Sequence, residues 1–267
     1  MPNNKFIKSL QDNGYVVVPN VINVKEIKYI KEEIKIVLKE AFKSLNFKNI
    51  DINEYNDIDK LYTFLKHNSP ALKRHCYDIL GKLALLYDAV TKPIIKNIAK
   101  KYLNGSLIIN STQLRIDDDS DDRVLPWHQE LEQMSLITLN VWMPLININN
   151  KTGGMAIIPE SHKKGVQRHY LNKKYSNYYS LPKRCIDKDK IIALSLNKGD
   201  AIIFNSLLYH KSVKNAGKKI RWTIISRYNQ LSTMPYIRSP KANIFMERNP
   251  NEKSPGHDFL TSYKKID

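Results

Sequence analysis

A chain of 267 residues with 42% apolar and 26% charged residues can bury a packed core, which excludes a wholly disordered protein. It has no apolar run of about eighteen residues, so no membrane-spanning helix is expected. The formal charge of +17 rests on 34 lysines and only 9 arginines among 43 basic residues. Nucleic-acid readers favour the bidentate arginine fork, so this excess reads as a solvated lysine surface and no nucleic-acid partner is expected. Met1-Pro-Asn-Asn-Lys-Phe-Ile-Lys8 lacks an apolar signal segment. Cys76 and Cys185 are too few for a disulfide framework or a four-cysteine zinc site, and read as free thiols of a reducing cytoplasm.

Along the chain, residues 3–13 read as a short helix, followed by the β run Tyr15–Val18 between Gly14 and Pro19. Asn23 with Glu26 three positions on forms a capping-box pattern. From Val24 to Phe47, apolar residues at 27, 30, 34, 37, 38, 41, 42 and 45 mark an amphipathic helix. Residues 49–60 are polar and read as a loop, and two further helices are expected over 69–87 and 89–103, stopped by Asn104-Gly105. Beyond Gly105 the period changes to short β-branched or alternating runs: 107–116, 134–145, 155–158, 191–196, 201–204 and 219–228. Helices followed by many antiparallel strands predict an α+β protein, with a helical layer on a β-sandwich or barrel. One domain over 1–267 is expected, with helical support over 1–104, a β core over 105–231 and a tail over 232–267.

Candidate chemistry begins at Trp127-His128-Gln129-Glu130. On an extended strand the two-residue spacing sends His128 and Glu130 to one face. His210 is expected at the end of an apolar strand, Phe204–His210. Two imidazoles and a carboxylate can fill one face of an octahedron and leave three positions open, the facial arrangement of non-haem iron(II). The same three ligands also suit zinc hydrolysis. Arg221 follows eleven positions after His210 (221 − 210), and a hairpin through Asn215-Ala-Gly217 would set the two strands side by side. A guanidinium buried there needs a carboxylate opposite it. Glu130 is one internal partner; a dicarboxylate ligand spanning metal and Arg221 is the other solution.

At these residues the sequence resembles the phytanoyl-CoA dioxygenase family of iron(II)/2-oxoglutarate oxygenases. The resemblance runs in order through Asn13–Ile22, Gln113–Asp117, Leu125–Glu130, Asn140–Leu145, Gly153–His162, Gly199–Phe204, His210–Ser212 and Arg221-Trp222. It implies a double-stranded β-helix (jelly-roll, cupin-like) core with the N-terminal helical layer packed on its major sheet. It also implies Fe(2+), 2-oxoglutarate and O2, with succinate and CO2 as coproducts of hydroxylating a small molecule. His128 and His210 become iron ligands, Arg221 and Ser212 hold the distal carboxylate of 2-oxoglutarate, and Gln113 and Trp142 line its pocket. Glu130 departs from the family's usual aspartate. As an anionic oxygen donor it is still expected to ligate, unlike the small non-ligating residue of related halogenases.

Other residues receive plainer readings. His162 is expected to order its loop. The segment His169–Ser180, with Tyr170, Tyr175, Tyr178 and Tyr179, reads as a lid or as a surface loop packing a few aromatics. The lysines and arginine at 173, 174, 183 and 184 border it and suit an anionic substrate. Asp117–Asp122 lacks the glycine and final glutamate of an EF-hand loop, and reads as a solvated turn. Trp127 and Trp222 alternate away from the functional residues and are assigned to the core. Besides zinc hydrolysis, a non-catalytic module binding a polyanion through the lysine surface stays open; substrate and oligomeric state are not readable.

Overall fold

The computed structural model describes residues 2–45, 54–118, 124–130, 138–149, 151–175, 178–217 and 219–230. The expected helix 3–13 is α1 (Pro2–Asn13), and the β run after it is β1 (Tyr15–Val18). In α2 (Val24–Lys43) the capping box closes as expected: Asn23 Oδ1 accepts from the Lys25 and Glu26 amides, and Glu26 Oε2 accepts from the Asn23 amide. Its apolar stripe buries Ile27, Ile30, Ile34, Leu38 and Phe42, so the period seen in the sequence is the packed face.

The next stretch differs from expectation. A helix not foreseen, α3 (Ile58–Asn68), begins inside the expected loop, because Asp57 caps it by accepting from the Asp59 amide. The expected helix 69–87 is broken into α4 (Pro70–Leu80) and α5 (Ala84–Val90), and α6 (Pro93–Leu103) follows. Pro70 and Pro93 each open a helix, since a missing N–H costs nothing in the first turn. Asn104 ends α6 in the left-handed conformation, φ 51° and ψ 57°.

The strands are β2 (Leu107–Asp117), β3 (Thr138–Pro144), β4 (Gly154–Ile158), β5 (Tyr170–Asn172), β6 (Tyr178–Ser180), β7 (Ile192–Ala193), β8 (Ala201–Asn205), β9 (Tyr209–Val213) and β10 (Arg221–Gln230). They form a five-stranded sheet, β1-β8-β3-β10-β2, a three-stranded sheet, β7-β4-β9, and the hairpin β5-β6. Every pairing is antiparallel. Thus β1, assigned by sequence to the helical part, is an edge strand of the larger sheet.

That sheet is covered on both sides. Leu114, Ile116, Val141, Met143, Ile203, Trp222 and Ile224 pack with the helices in one apolar cluster. Their alternates Trp142, Ile202 and Phe204 pack with Met155 and Ile157 of β4 in another. A sheet buried on both faces explains why β3 reads as a nearly continuous apolar run. The helical layer is also tied by hydrogen bonds. Asp59 accepts from Trp222 Nε1 at 2.7 Å and from the Ile220 amide at 3.0 Å.

Two expected strand relations are corrected. Phe204–His210 is not one strand: β8 ends at Asn205, whose Oδ1 and backbone carbonyl accept from the Leu207 and Leu208 amides in a tight turn. The chain then enters the other sheet, and His210 is the second residue of β9. Consequently β9 and β10 are not a hairpin; they belong to facing sheets. The acidic run also begins differently, since Asp117 ends β2 and is buried, while Asp118 pairs with Lys66 at 2.6 Å. Residues 119–123 and the expected tail 232–267 lie outside the described residues, as does the start of the 134–145 run. Among the described residues no helix is long and apolar enough to cross a membrane.

The turn before β8 depends on Gly199. Its φ is +87°, its carbonyl accepts from the Val21 and Ile22 amides, and a Cβ there would lie 2.2 Å from the Ile22 carbonyl oxygen. Gly199→Ala is expected to cost roughly 2–4 kcal/mol, adding backbone strain to a clash with main chain that cannot yield. Denaturant unfolding of the variant checks this.

Candidate metal centre and its cavity

The segment carrying His128 and Glu130 lies along β9. Leu125 O accepts from the Ser212 amide, His128 and His210 exchange two backbone hydrogen bonds of 2.9 and 3.1 Å, and the Glu130 amide donates to Ser206 O. This pairing, rather than a regular strand, brings the two histidines together with ring centroids 4.1 Å apart. Gln129, between the ligands, points away and spends its polar atoms on anchoring. Its Nε2 donates to Gly165 O and Leu207 O, its Oε1 accepts from the Gln167 amide, and its own amide donates to His169 Nε2.

His128 Nε2, His210 Nε2 and a Glu130 carboxylate oxygen converge within 4.8 Å of one another, and Oε1 is 3.4 Å from each imidazole nitrogen. Each Nδ1 lies beside a carbonyl, Pro126 O at 2.7 Å and Leu208 O at 2.9 Å. A carbonyl only accepts, so in each neutral ring Nδ1 carries the proton and Nε2 presents a lone pair. Burial and the neighbouring His210 push the His128 imidazolium down, which favours that neutral form. Burial by itself would raise Glu130, but the Arg227 charge beside it opposes that and favours the carboxylate, whose pKa lies well below its usual range. Two lone pairs and an anionic oxygen facing one point are what a divalent cation satisfies. Metal bonds of about 2.1 Å place neighbouring ligands about 3.0 Å apart, close to the 3.4 Å from Glu130 Oε1 to each imidazole nitrogen. The residues present therefore fit a metal ion.

The centre opens on a cavity of about 350 Å³. All seven residues singled out from the sequence, His128, Glu130, His210, Arg221, Ser212, Gln113 and Trp142, line it. Arg221 is 3% exposed and meets a partner that sequence reasoning did not consider. Asp117 stands directly opposite it on β2, accepting at 3.0 Å from Nη2 and 3.3 Å from Nε, while Nη1 donates to Thr152 O and Val213 O. The buried guanidinium is thus neutralised by Asp117 and not by Glu130. Arg115 Nε also grips Asp117, at 2.9 and 3.0 Å. Two guanidiniums thus meet on the Asp117 carboxylate at this end of the cavity.

Sequence reasoning also missed Asn140 and Arg227. Asn140 lines the cavity from β3 with a buried Nδ2 that has no hydrogen-bond partner among the described residues. Arg227 pairs with Glu130 Oε2 at 3.2 Å. Alternation along β10 from Arg221 would have placed Arg227 on the cavity face; the alternation of β3 from Trp142 would have placed Asn140 there too.

The remaining expectations divide. Tyr178 packs edge-on against His128, with centroids 5.2 Å apart, so β6 does cover the centre. Tyr170 is exposed, Tyr179 is half-buried, and the Tyr175 side chain lies outside the described residues. Lys173, Lys174, Lys183 and Arg184 are exposed beside this hairpin. His162 does order its loop, through Nε2 to Gln11 O at 3.1 Å. Trp222 is fully buried as expected, and Trp127, half-buried beneath Lys211 Nζ, packs against the cluster of Ile158, Leu181 and Tyr209.

Two measurements test this arrangement. Asp117→Asn removes the carboxylate on which the buried Arg221 and Arg115 meet and is expected to destabilise the protein by roughly 3–5 kcal/mol in denaturant unfolding. His169 donates from Nδ1 to Gln167 O and accepts the Gln129 amide at Nε2, and burial lowers its pKa from 6.5 to about 4. With the folded value depressed, the folded chain binds fewer protons than the unfolded one. Stability is full above pH 6.5 and falls toward pH 4. The loss in metal-free protein is at most about 3 kcal/mol, and His169→Gln, which keeps an acceptor but does not titrate, flattens it.

The phytanoyl-CoA dioxygenase (PhyH) family matches residues 10–223. Among curated relatives, the 1-deoxypentalenic acid 11-beta-hydroxylase of Streptomyces arenae is 32% identical over 79 residues, covering 28% of each chain. The peroxisomal phytanoyl-CoA dioxygenase of Bos taurus is 23% identical over 231 residues, covering 81% of this chain and 65% of that protein. The chain therefore spans less than two thirds of the length of these relatives. Among solved structures, the apo non-heme monooxygenase ThoJ aligns with a TM-score of 0.60 at 18% identity, over 84% of this chain and 77% of that one. The epimerase SnoN in complex with Fe3+, alpha ketoglutarate and nogalamycin RO aligns with a TM-score of 0.58 at 13% identity, over 86% and 84%. At these identities the likeness speaks for the fold, and the two facing sheets under a helical layer are the jelly roll expected from the sequence. Matched over residues 10–223, the chain belongs to the phytanoyl-CoA dioxygenase family.

Proposed function

We propose that the protein is an iron(II)/2-oxoglutarate-dependent dioxygenase that hydroxylates a small molecule. The observation that carries this reading is the convergence of two imidazole lone pairs and one carboxylate oxygen in the same cavity as the buried Arg221 and its neighbour Arg115. His128, His210 and Glu130 would hold the iron. Arg221 would take the distal carboxylate of 2-oxoglutarate, with Ser212 as a hydroxyl donor beside it and Gln113 and Trp142 as walls. Asn140 Nδ2, a buried donor lining the cavity, would give a further hydrogen bond to a bound oxygen atom. When bound, iron and 2-oxoglutarate supply an oxidation in which O2 is split, the cosubstrate leaves as succinate and CO2, and one oxygen atom enters a C–H bond.

The chain's own part is placement and exclusion of water. Asp117 and the carbonyls of Thr152 and Val213 hold the Arg221 fork fixed before any ligand arrives, so ligand binding bears little ordering cost. Trp142, Met155, Phe204 and Ile225 provide apolar walls that lower the local dielectric around the charged groups. The helical layer, the two sheets and the β5-β6 hairpin act in this reading as one catalytic unit. Lys211 and Arg115 at the cavity, with Lys173, Lys174, Lys183 and Arg184 around the hairpin, favour a substrate with an anionic group. Zinc hydrolysis gives Arg221 and its fixed fork no role, and the lysine surface points to no built site for a polyanion.

Anaerobic addition of iron(II) and 2-oxoglutarate to the purified protein should produce a weak visible charge-transfer band, and oxygen with substrate should then release succinate. His210→Ala should abolish the band. Arg221→Met should weaken 2-oxoglutarate binding at least about thirtyfold, as expected for losing a charged pair worth roughly 2 kcal/mol or more. No band, together with unchanged 2-oxoglutarate affinity in Arg221→Met, would sink the reading.

A further inference from the structure

We propose that Arg227 is a positioning residue that restricts Glu130 to a single metal-facing oxygen, and so lets a glutamate serve where a shorter carboxylate is usual. This inference rests on the oxygenase reading above. The two oxygens of Glu130 have different neighbours. Oε1 is 3.4 Å from His128 Nε2 and 3.4 Å from His210 Nε2, whereas Oε2 accepts from Arg227 Nη2 at 3.2 Å. One oxygen is therefore turned to the imidazoles and the other is held by a guanidinium.

Arg227 is itself held in place. It lies mid-strand in β10, with Asn140 of β3 and Ser111 of β2 as its register partners. Its Nη1 donates to Ser111 Oγ at 3.0 Å. The register with β2 shifts directly after it, the extra residue being position 110 of β2, so β10 itself keeps its alternation and Arg227 stays on the cavity face with Arg221 and Ile225. Its side chain is only 15% exposed, so the pair with Glu130 is little weakened by solvent.

The need for such a restraint follows from counting coordination positions. Two histidines and one carboxylate oxygen leave three of six positions, enough for a chelating cosubstrate and oxygen. Glutamate has one more rotatable bond than aspartate and more freedom to bring its second oxygen around. A carboxylate that chelated through both oxygens would leave two positions, and the cosubstrate alone would fill them. A charged hydrogen bond to Oε2 opposes that swing.

Cobalt(II) serves as a metal probe whose visible spectrum reports coordination number. Arg227→Met should change the spectrum of the cobalt-loaded protein and weaken its 2-oxoglutarate affinity at least tenfold. Arg227→Lys, which keeps the charge, should stay within about threefold of the unmutated protein. In a Glu130→Asp background the shorter carboxylate no longer extends to Arg227, so adding Arg227→Met should change affinity less than twofold. An unchanged spectrum with affinity within twofold in Arg227→Met overturns the proposal. So does an equal loss with and without Glu130→Asp, which marks a merely structural role. If the unmutated protein binds neither cobalt nor 2-oxoglutarate, the oxygenase reading falls and this inference with it. Loss confined to the Arg227 variants tells the two apart.

Discussion

The period-two alternation of β10 is the constraint on which most of the molecule depends. Its even positions, Trp222, Ile224 and Tyr228, join the apolar cluster under the helices. Its odd positions Arg221, Ile225 and Arg227 line the cavity. One strand thus anchors the helical layer through an apolar face and supplies two cations through the other. A slip of one residue would exchange these sets, burying guanidiniums among isoleucines and exposing Trp222 to the cavity. The Asp59 bond to Trp222 on one side and the Asp117 bond to Arg221 on the other both hold that register.

The metal centre is built differently. Its candidate ligands come from a segment that is not a regular strand and from the second residue of β9, joined by two backbone hydrogen bonds between the histidines themselves. The side chains receive their orientation from carbonyl acceptors at Pro126 and Leu208 and, for Glu130, from Arg227. Gln129 and His169 hold the back of the segment. Each of the three side chains is therefore oriented by a contact with the protein itself. The buried charges are paired: Arg221 and Arg115 meet on Asp117, and Arg227 meets Glu130.

Much of this was legible in the chain. The capping box at Asn23, the stripe of α2 and the stop at Asn104 are local signals, and each appears in the fold where the residues place it. The ordered family motifs led to seven residues that line one cavity. The illegible parts share a cause. The break between α4 and α5, the capped start of α3 and the turn that separates β8 from β9 are decided by caps and packing that outweigh a continuous apolar pattern. The expected hairpin between His210 and Arg221 failed because proximity in sequence does not say which sheet a strand joins.

The sequence by itself therefore determined the types of residue at the centre, the faces of the long helix and of β10, and the family. These rest on periodicity and on short ordered motifs, which are properties of neighbours along the chain. Only the tertiary structure decided that Asp117, and not Glu130, pairs with Arg221, that Arg227 takes the second oxygen of Glu130, and that His210 reaches the centre from the opposite sheet. Those partners lie about 80 to 105 residues apart along the chain, and what joins them is strand register and the facing of two sheets. No local pattern encodes a distance across a β-sandwich; it exists only once both sheets have closed around the same cavity.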